Sequence, residues 1–206
     1  MGAGINFNEY RGVKGLVIAE LTETVNTQGE VVATYGTPQA LSGVQKVGGE
    51  VAEGTETHYY DDVPAIVIDS EGEDTYSLTV SIPEKKTRAL IEGTTYDTAT
   101  GALISTPKKK KYFALGFTAE KTDGTIEKNW VYKGKFSGGG KEHNTKTDGA
   151  ETSNMEYTFT SIHTNEVFTK TGGKPCKYLS VEDNGKVDLK DFFKTVIKPD
   201  DLVAVA

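Results

Sequence analysis

Side chains able to do chemistry are few in this chain, and each cluster has a plainer reading beside the chemical one. His58, His143 and His163 lie in separate segments, without the HExxH-type spacing that sets two imidazoles on one face of a helix for a metal. They read as surface or edge residues. EDNGKVDLKD, residues 182–191, carries acids ahead of an apolar run as a calcium loop would, yet it lacks the D-x-D-x-D-G ladder and the bidentate Glu at position twelve. A turn followed by an N-cap explains it. HYYDD, residues 58–62, gathers two tyrosines and two carboxylates that could stack on a sugar or act as acid and base. Its plainer reading is a strand end and turn. PKKKK, residues 107–111, could meet phosphates, but it has no interleaved aromatics and sits in an acidic chain, which makes it a solvated entrance to a strand. FSGGGKEH, residues 136–143, has three consecutive glycines without a GxGxxG or GK[ST] phosphate fingerprint, and reads as a flexible loop. Cys176, preceded by Pro175, has no His or Asn nearby to make it a nucleophile. No catalytic set, metal set or cofactor fingerprint emerges, and the expectation is a non-enzyme without metal or cofactor.

Bulk properties narrow the classes further. The 206 residues, 36% hydrophobic, are enough for one sizeable core, so residues 1–206 are expected to form a single domain. Lys plus Arg total 23 against 30 for Asp plus Glu, a formal charge of −7 that repels phosphate backbones as a whole. One cysteine allows no intrachain disulfide and suits a reducing cytosol. The opening MGAGINFNEYRG has neither a basic nor an apolar signal region, and no stretch approaches the ~20 apolar residues of a membrane span. Neither secretion through a signal peptide nor membrane insertion is expected. Gly2 has the place of a myristoylation acceptor, but Asn6 stands where that signal requires Ser or Thr.

The elements that would carry these residues follow a period of two. In DTYSLTVSI, residues 74–82, Tyr76, Leu78, Val80 and Ile82 point to one face and Thr75, Ser77, Thr79 and Ser81 to the other. Residues 111–136 hold two strands about Asp123-Gly124, with Phe113, Leu115 and Phe117 sharing one face and Trp130, Tyr132 and Phe136 another. Gly134 leaves space there for a neighbouring ring. Residues 155–163 alternate again, and further strands are expected near 15–22, 41–51, 63–68 and 176–182. Two helices interrupt the pattern. Residues 83–93 offer Pro83 in the first turn, a capping box of Ser81 with Glu84, and Gly93 as the stop. Residues 188–199 place Leu189, Phe192, Phe193 and Val196 at i, i+3, i+4 and i+7 behind an Asp188 N-cap, with Pro199 at the end. The sum is a mainly β fold, a sandwich or barrel with one or two flanking α-helices and long loops.

The order of segments GVKGLVIAELTE, YGTPQALSGVQKV, THYYDDVPAIVI, TYSLTVSIPEKKTRALIEG and NWVYKGKFSGGGKEHNTKTDGAETSNMEYTFT resembles the major tail protein, or tail-tube protein, of long-tailed bacteriophages and prophages of Gram-positive bacteria. The resemblance spans about residues 10 to 200 and rests on overall texture, with no invariant motif. It implies a tail-tube-type subunit, a virion protein made in the host cytoplasm, forming hexameric rings that stack into a conduit for viral DNA. Implied partners are copies of itself, a tape-measure protein, a tail terminator and a distal tail protein, with viral DNA passing through without sequence-specific binding and no membrane involved. On this reading the polar loop is an arm reaching the adjacent ring, comprising Ser137, Gly138, Gly139, Gly140, Lys141, Glu142, His143, Asn144, Thr145, Lys146, Thr147 and Asp148 and running on to Thr152. Thr24 to Gln39 and the terminal segments 1–14 and 199–206 are further candidate arms. Glu120, Glu127 and Glu156 are candidate lumen-facing carboxylates that would repel the duplex, and Lys108 to Lys111 candidate intersubunit cations. A contractile relative shares the same subunit architecture. The alternative function is a carbohydrate-binding or adhesive β-sandwich using Tyr59, Tyr60 and Asp61.

Overall fold

Alternating apolar residues separated by glycine and asparagine turns produce a mainly antiparallel β structure. The computed structural model of the chain describes residues 8–60, 63–140 and 153–205. From the N-terminus these form β1 (Tyr10–Val25), β2 (Val31–Tyr35), β3 (Gln39–Ala40), β4 (Val44–Glu50), β5 (Glu53–Tyr60), β6 (Val63–Glu71), β7 (Asp74–Val80) and helix α1 (Lys85–Glu92). Then follow β8 (Thr95–Asp97), β9 (Ala102–Ile104), β10 (Tyr112–Lys121), β11 (Ile126–Gly138), β12 (Met155–Ser161), β13 (Val167–Phe168), β14 (Lys174–Pro175) and β15 (Tyr178–Glu182). The main sheet runs β2-β1-β10-β11-β12-β7-β4, with β3 added to β1 and β15 to β11. β5–β6, β8–β9 and β13–β14 are separate two-stranded pairs.

β11 is the pivot of this sheet. Its first half, Glu127 to Val131, pairs with β15, and its second half, Gly134 to Gly138, pairs with β12. The register against β10 slips between Leu115↔Val131 and Phe113↔Gly134, a bulge at Tyr132 and Lys133. Because a bulge shifts parity, Trp130 and Tyr132 enter one core while Phe136 enters the other, which corrects the expectation that all three share a face.

The larger core lies between the sheet and α1. It gathers Leu16, Ile18, Leu78, Val80, Ile91, Phe113, Leu115, Phe136, Tyr157 and Phe159. Ile82, expected among them, lies beyond the end of β7 and is exposed. Gly134 is required here: a Cβ would stand 2.5 Å from the Phe159 ring and 2.6 Å from the Thr160 carbonyl oxygen. α1 begins two residues later than predicted, and its Glu84 N-cap makes no side-chain capping bond. The Ser81 hydroxyl expected in the box instead accepts a hydrogen bond from the Gly43 amide at 3.0 Å. Gly93 does end the helix, in the left-handed region at φ 70°.

The second core covers the opposite face with residues 187–197, where the spacing predicted a helix. Among the described residues α1 is the one α-helix, and this segment runs as consecutive turns, with the Phe192 amide donating to Leu189 and the Lys194 amide to Asp191. Its carbonyls are claimed by the sheet below. Trp130 Nε1 donates to the Phe192 carbonyl at 3.1 Å and the Tyr132 hydroxyl to that of Ile197 at 2.8 Å, so tertiary bonds displace an i to i−4 ladder. Leu189, Phe192 and Val196 are buried as the periodicity required, and Phe193 meets Trp130 edge-on at 5.5 Å.

The architecture is therefore a two-sided, sandwich-like β fold. The sheet is not closed into a barrel: β4 curls back toward β1 without pairing with it. An open cleft of about 540 Å³, lined by Tyr10, Val13, Gln45, Val47, Phe117 and Asn129, lies between them.

Candidate assembly surface

The β5–β6 hairpin is the largest feature that the cores do not explain. Its register runs from Glu53↔Glu71 to Tyr60↔Val63, with a shift between His58 and Tyr59. At its base the Gly72 amide donates to the Ala52 carbonyl at 2.7 Å. There Lys177, itself buried, donates to the Gly72 carbonyl at 2.8 Å and to Asp74 Oδ1 at 3.0 Å. Beyond that anchor the two strands pair only with each other among the described residues, and Val63 and Ile66 are 60% and 47% exposed. A lone two-stranded hairpin is marginal in water and gains stability from a surface to lie on. Sequence reading placed a strand at 63–68 but missed β5, because EGTETHYY has no apolar alternation to reveal it.

A second feature is a sheet face that no element covers among the described residues. The rows Glu156–Thr79–Lys46, Ser137–Thr158–Ser77–Gly48 and Lys135–Thr160–Thr75–Glu50 run across β11, β12, β7 and β4. Most of their side chains are short hydroxyls, with two lysines set against two glutamates. The outer edges of β2 and β4 have no strand partner among the described residues.

Helix α1 and the lysine run form a third. The Lys109 amide donates to the Gly93 carbonyl at 3.1 Å, and a Cβ on Gly93 would approach the Lys109 backbone to 2.7 Å, so the run crosses the helix C-terminus in direct contact. Cations at that end complement the helix dipole. A groove of about 490 Å³ opens beside it, floored by Ala89 and Leu90 and rimmed by Lys86, Lys109 and Lys111. Lys110 turns away to donate to the Phe136 carbonyl at 2.7 Å, and Lys111 pairs with Glu20 at 2.7 Å.

The candidate carboxylates do not stand together. Glu127 is buried: burial pushes its carboxyl up, but hydrogen bonds from Ser180, Lys121 and Tyr10 outweigh this and hold it below the usual carboxylate range. Its charge is already met by Lys121 at 3.3 Å, so it cannot act as a free repulsive group. Glu120 is tied to Arg11, whose hydrogen bond lowers its carboxyl. Glu156 alone of the three is exposed, on the hydroxyl-rich face.

Of the predicted arm, Ser137 to Gly140 are described and Lys141 to Thr152 lie outside the described residues. Ser137 and Gly138 end β11, and Gly138 and Gly139 adopt φ of 93° and 79°. These two glycines are fixed rather than free: the Gly139 amide donates to the Glu156 carbonyl at 2.9 Å, and a Cβ on Gly138 would meet that same oxygen at 2.8 Å. Most of Thr24 to Gln39 is the β1–β2 hairpin of the main sheet, turned by Asn26, whose side-chain oxygen accepts from the Gln28 and Glu30 amides. Residues 10–14 are likewise the start of β1, and residues 1–7 lie outside the described residues. Pro199 to Asp201 folds back, Asp200 accepting from the Thr169 and Lys170 amides. Ala204 bridges Val187, and Ala206 lies outside the described residues.

Of the sugar-binding cluster, Tyr59 and Tyr60 end β5, and Asp61 and Asp62 lie outside the described residues. His58 and His163 are separate, near Glu56 and Glu71 respectively, and His143 lies outside the described residues. Asn184 and Asp188 of the 182–191 segment accept from the amides two residues on, as turn residues do. Burial pushes the Cys176 thiol up, away from thiolate chemistry. No group of three or more His, Cys, Asp or Glu that could hold a metal exists among the described residues. No helix among them is long and apolar enough to cross a membrane. Comparison of the chain with models of known protein families and with curated proteins returned no match.

Proposed function

We propose that this protein is a self-assembling structural subunit, the tail-tube protein of a long-tailed bacteriophage or prophage, whose hexameric rings stack into a conduit for viral DNA. The observation that carries this reading is the β5–β6 hairpin, which is anchored at its base and has no extensive packing elsewhere among the described residues. In a ring, a neighbouring copy supplies the missing surface, and the open edges of β2 and β4 gain strands in the same way. The uncovered sheet face supports the same reading as a lumen wall. Its hydroxyls and its two lysines balanced by two glutamates give a passing duplex neither a strong attraction nor a continuous fence of charge. With Glu127 buried and Glu120 paired, repulsion of DNA rests on Glu156 and its neighbours, a weaker device than a lumen lined with free carboxylates.

The test is assembly of purified protein followed by light scattering and negative-stain microscopy over rising concentration. Rings or tubes are expected from the intact chain. Replacement of Glu53–Glu71 by a two-residue Asn-Gly turn is expected to leave a folded body that no longer assembles. An intact chain that stays monomeric at high concentration, or a hairpin-deleted chain that still forms tubes, refutes the proposal.

A further inference from the structure

Charge along this chain is segregated in a way that the overall balance of −7 conceals. Between Lys46 and Lys85 there are ten carboxylates and no lysine or arginine; from Lys85 to Lys111 there are seven basic residues and two acidic ones. The acidic block is the β5–β6 hairpin with its flanks, and the basic block is α1 with the 107–111 run. Within one chain the two barely answer each other. Among the described residues no carboxylate of the hairpin forms an ion pair with a lysine of the basic block: Glu56 lies 3.8 Å from His58, and Glu71 lies 3.4 Å from His163. Glu53 stands directly opposite Glu71 across the hairpin, a like-charge pair that destabilises two strands with no third layer. On the basic side, Lys86, Lys108 and Lys109 are exposed and have no ion-pair partner among the described residues.

We infer that the groove beside α1 receives the acidic β5–β6 hairpin of a second copy of this chain. The inference rests on the self-assembly proposed above and names which surface meets which. Shape and chemistry agree on both sides. The groove has an apolar floor at Ala89 and Leu90 and a cationic rim at Lys86 and Lys109. The hairpin presents exposed Val63 and Ile66 on the face that also carries Glu56, and Glu53 and Glu71 stand as a pair at its base. A cation placed between Glu53 and Glu71 would relieve their repulsion, and carboxylates over Lys86, Lys108 and Lys109 would relieve that of the lysines. Because donor and acceptor surfaces differ, the contact is heterologous: it propagates from copy to copy and closes only if the rotation between copies permits. It also sets polarity, since a hairpin meeting another hairpin is repelled.

A charge exchange tests this. One variant carries Lys86→Glu, Lys108→Glu and Lys109→Glu, another Glu53→Lys, Glu56→Lys and Glu71→Lys, and a third carries all six; circular dichroism verifies that each remains folded. Each half-exchange is expected to raise the concentration needed for assembly at least about tenfold at low salt, a penalty that shrinks as added salt screens the charges. The full exchange restores assembly, and an equimolar mixture of the two half-exchanged proteins co-assembles. The inference is overturned if the intact chain assembles and both half-exchanges assemble equally well, or if the full exchange does not recover. A monomeric intact chain overturns both this contact and the tube. If the lysine variant assembles normally but loses affinity for a short DNA duplex, the rim serves phosphate instead and the inference falls.

Discussion

Replacing Lys177 by methionine probes the joint between the hairpin and the body. The Lys177 and Asp74 side chains are only 9% and 4% exposed and meet at 3.0 Å, while the same ammonium also serves the Gly72 carbonyl. Methionine conserves most of the buried volume, so the loss isolates the charge. Breaking a buried pair by removing one partner leaves the other uncompensated and costs about 3–5 kcal/mol. With a urea m-value of about 2–3 kcal/mol/M, the midpoint should fall by about 1–2.5 M. Adding Asp74→Leu removes the stranded carboxylate, and because an apolar pair of similar volume is often no worse than the ion pair, most of the loss should return. Equilibrium urea unfolding followed by circular dichroism measures all three proteins. A loss below about 1 kcal/mol in the single variant, or no recovery in the double, would show that water reaches this pair and that the buried-charge argument is wrong.

Two further outcomes follow from the cores. Gly134→Ala sets a methyl against the Phe159 ring and the Thr160 carbonyl, and should cost at least about 1–3 kcal/mol by overpacking; a variant as stable as the parent in thermal unfolding would mean the β11–β12 contact can spread at no cost. Burial pushes the Glu23 carboxyl up, but Lys133 at 2.6 Å and Asn165 outweigh it and hold the group below its ordinary value. A carboxyl lowered by folding stabilises fully above its unfolded value and loses that contribution as pH falls through its folded one. The stability difference between the parent and Glu23→Gln should therefore be flat above about pH 5.5 and narrow below about pH 4.5. A difference that stays constant to pH 3.5 contradicts the assignment.

How far the residues reveal the molecule depends on whether a signal is local. The alternation of Tyr76, Leu78 and Val80, and of Met155, Tyr157 and Phe159, reports a half-buried strand directly, and both segments form strands, which pair with each other. Asp123-Gly124 likewise turns β10 into β11, with Gly124 at φ 86°. The failures come from partners far along the chain. Residues 188–197 have the apolar spacing of a helix and bury the right side chains, but Trp130 and Tyr132 take their carbonyls, which no local pattern encodes. The bulge at Tyr132 and Lys133 likewise leaves no mark in the periodicity while moving Phe136 to the other core. Glu127 reads as a candidate lumen-facing carboxylate, yet Lys121 and Tyr10 fold over it. The segregation of acids and lysines lies in the order of residues itself, whereas the fold alone reveals that the two blocks form no ion pairs with each other among the described residues of one copy.

The layer formed by residues 187–197 has a temporal consequence. The Phe192 carbonyl reaches Trp130 across 62 residues of chain, so during synthesis the aromatic side of β11 waits bare until that distant stretch leaves the ribosome. Until then the nascent chain carries a sticky, solvent-facing stripe, the kind of surface chaperones hold. The chain has a single tryptophan, and it sits at that seam, so its emission reports when this layer closes.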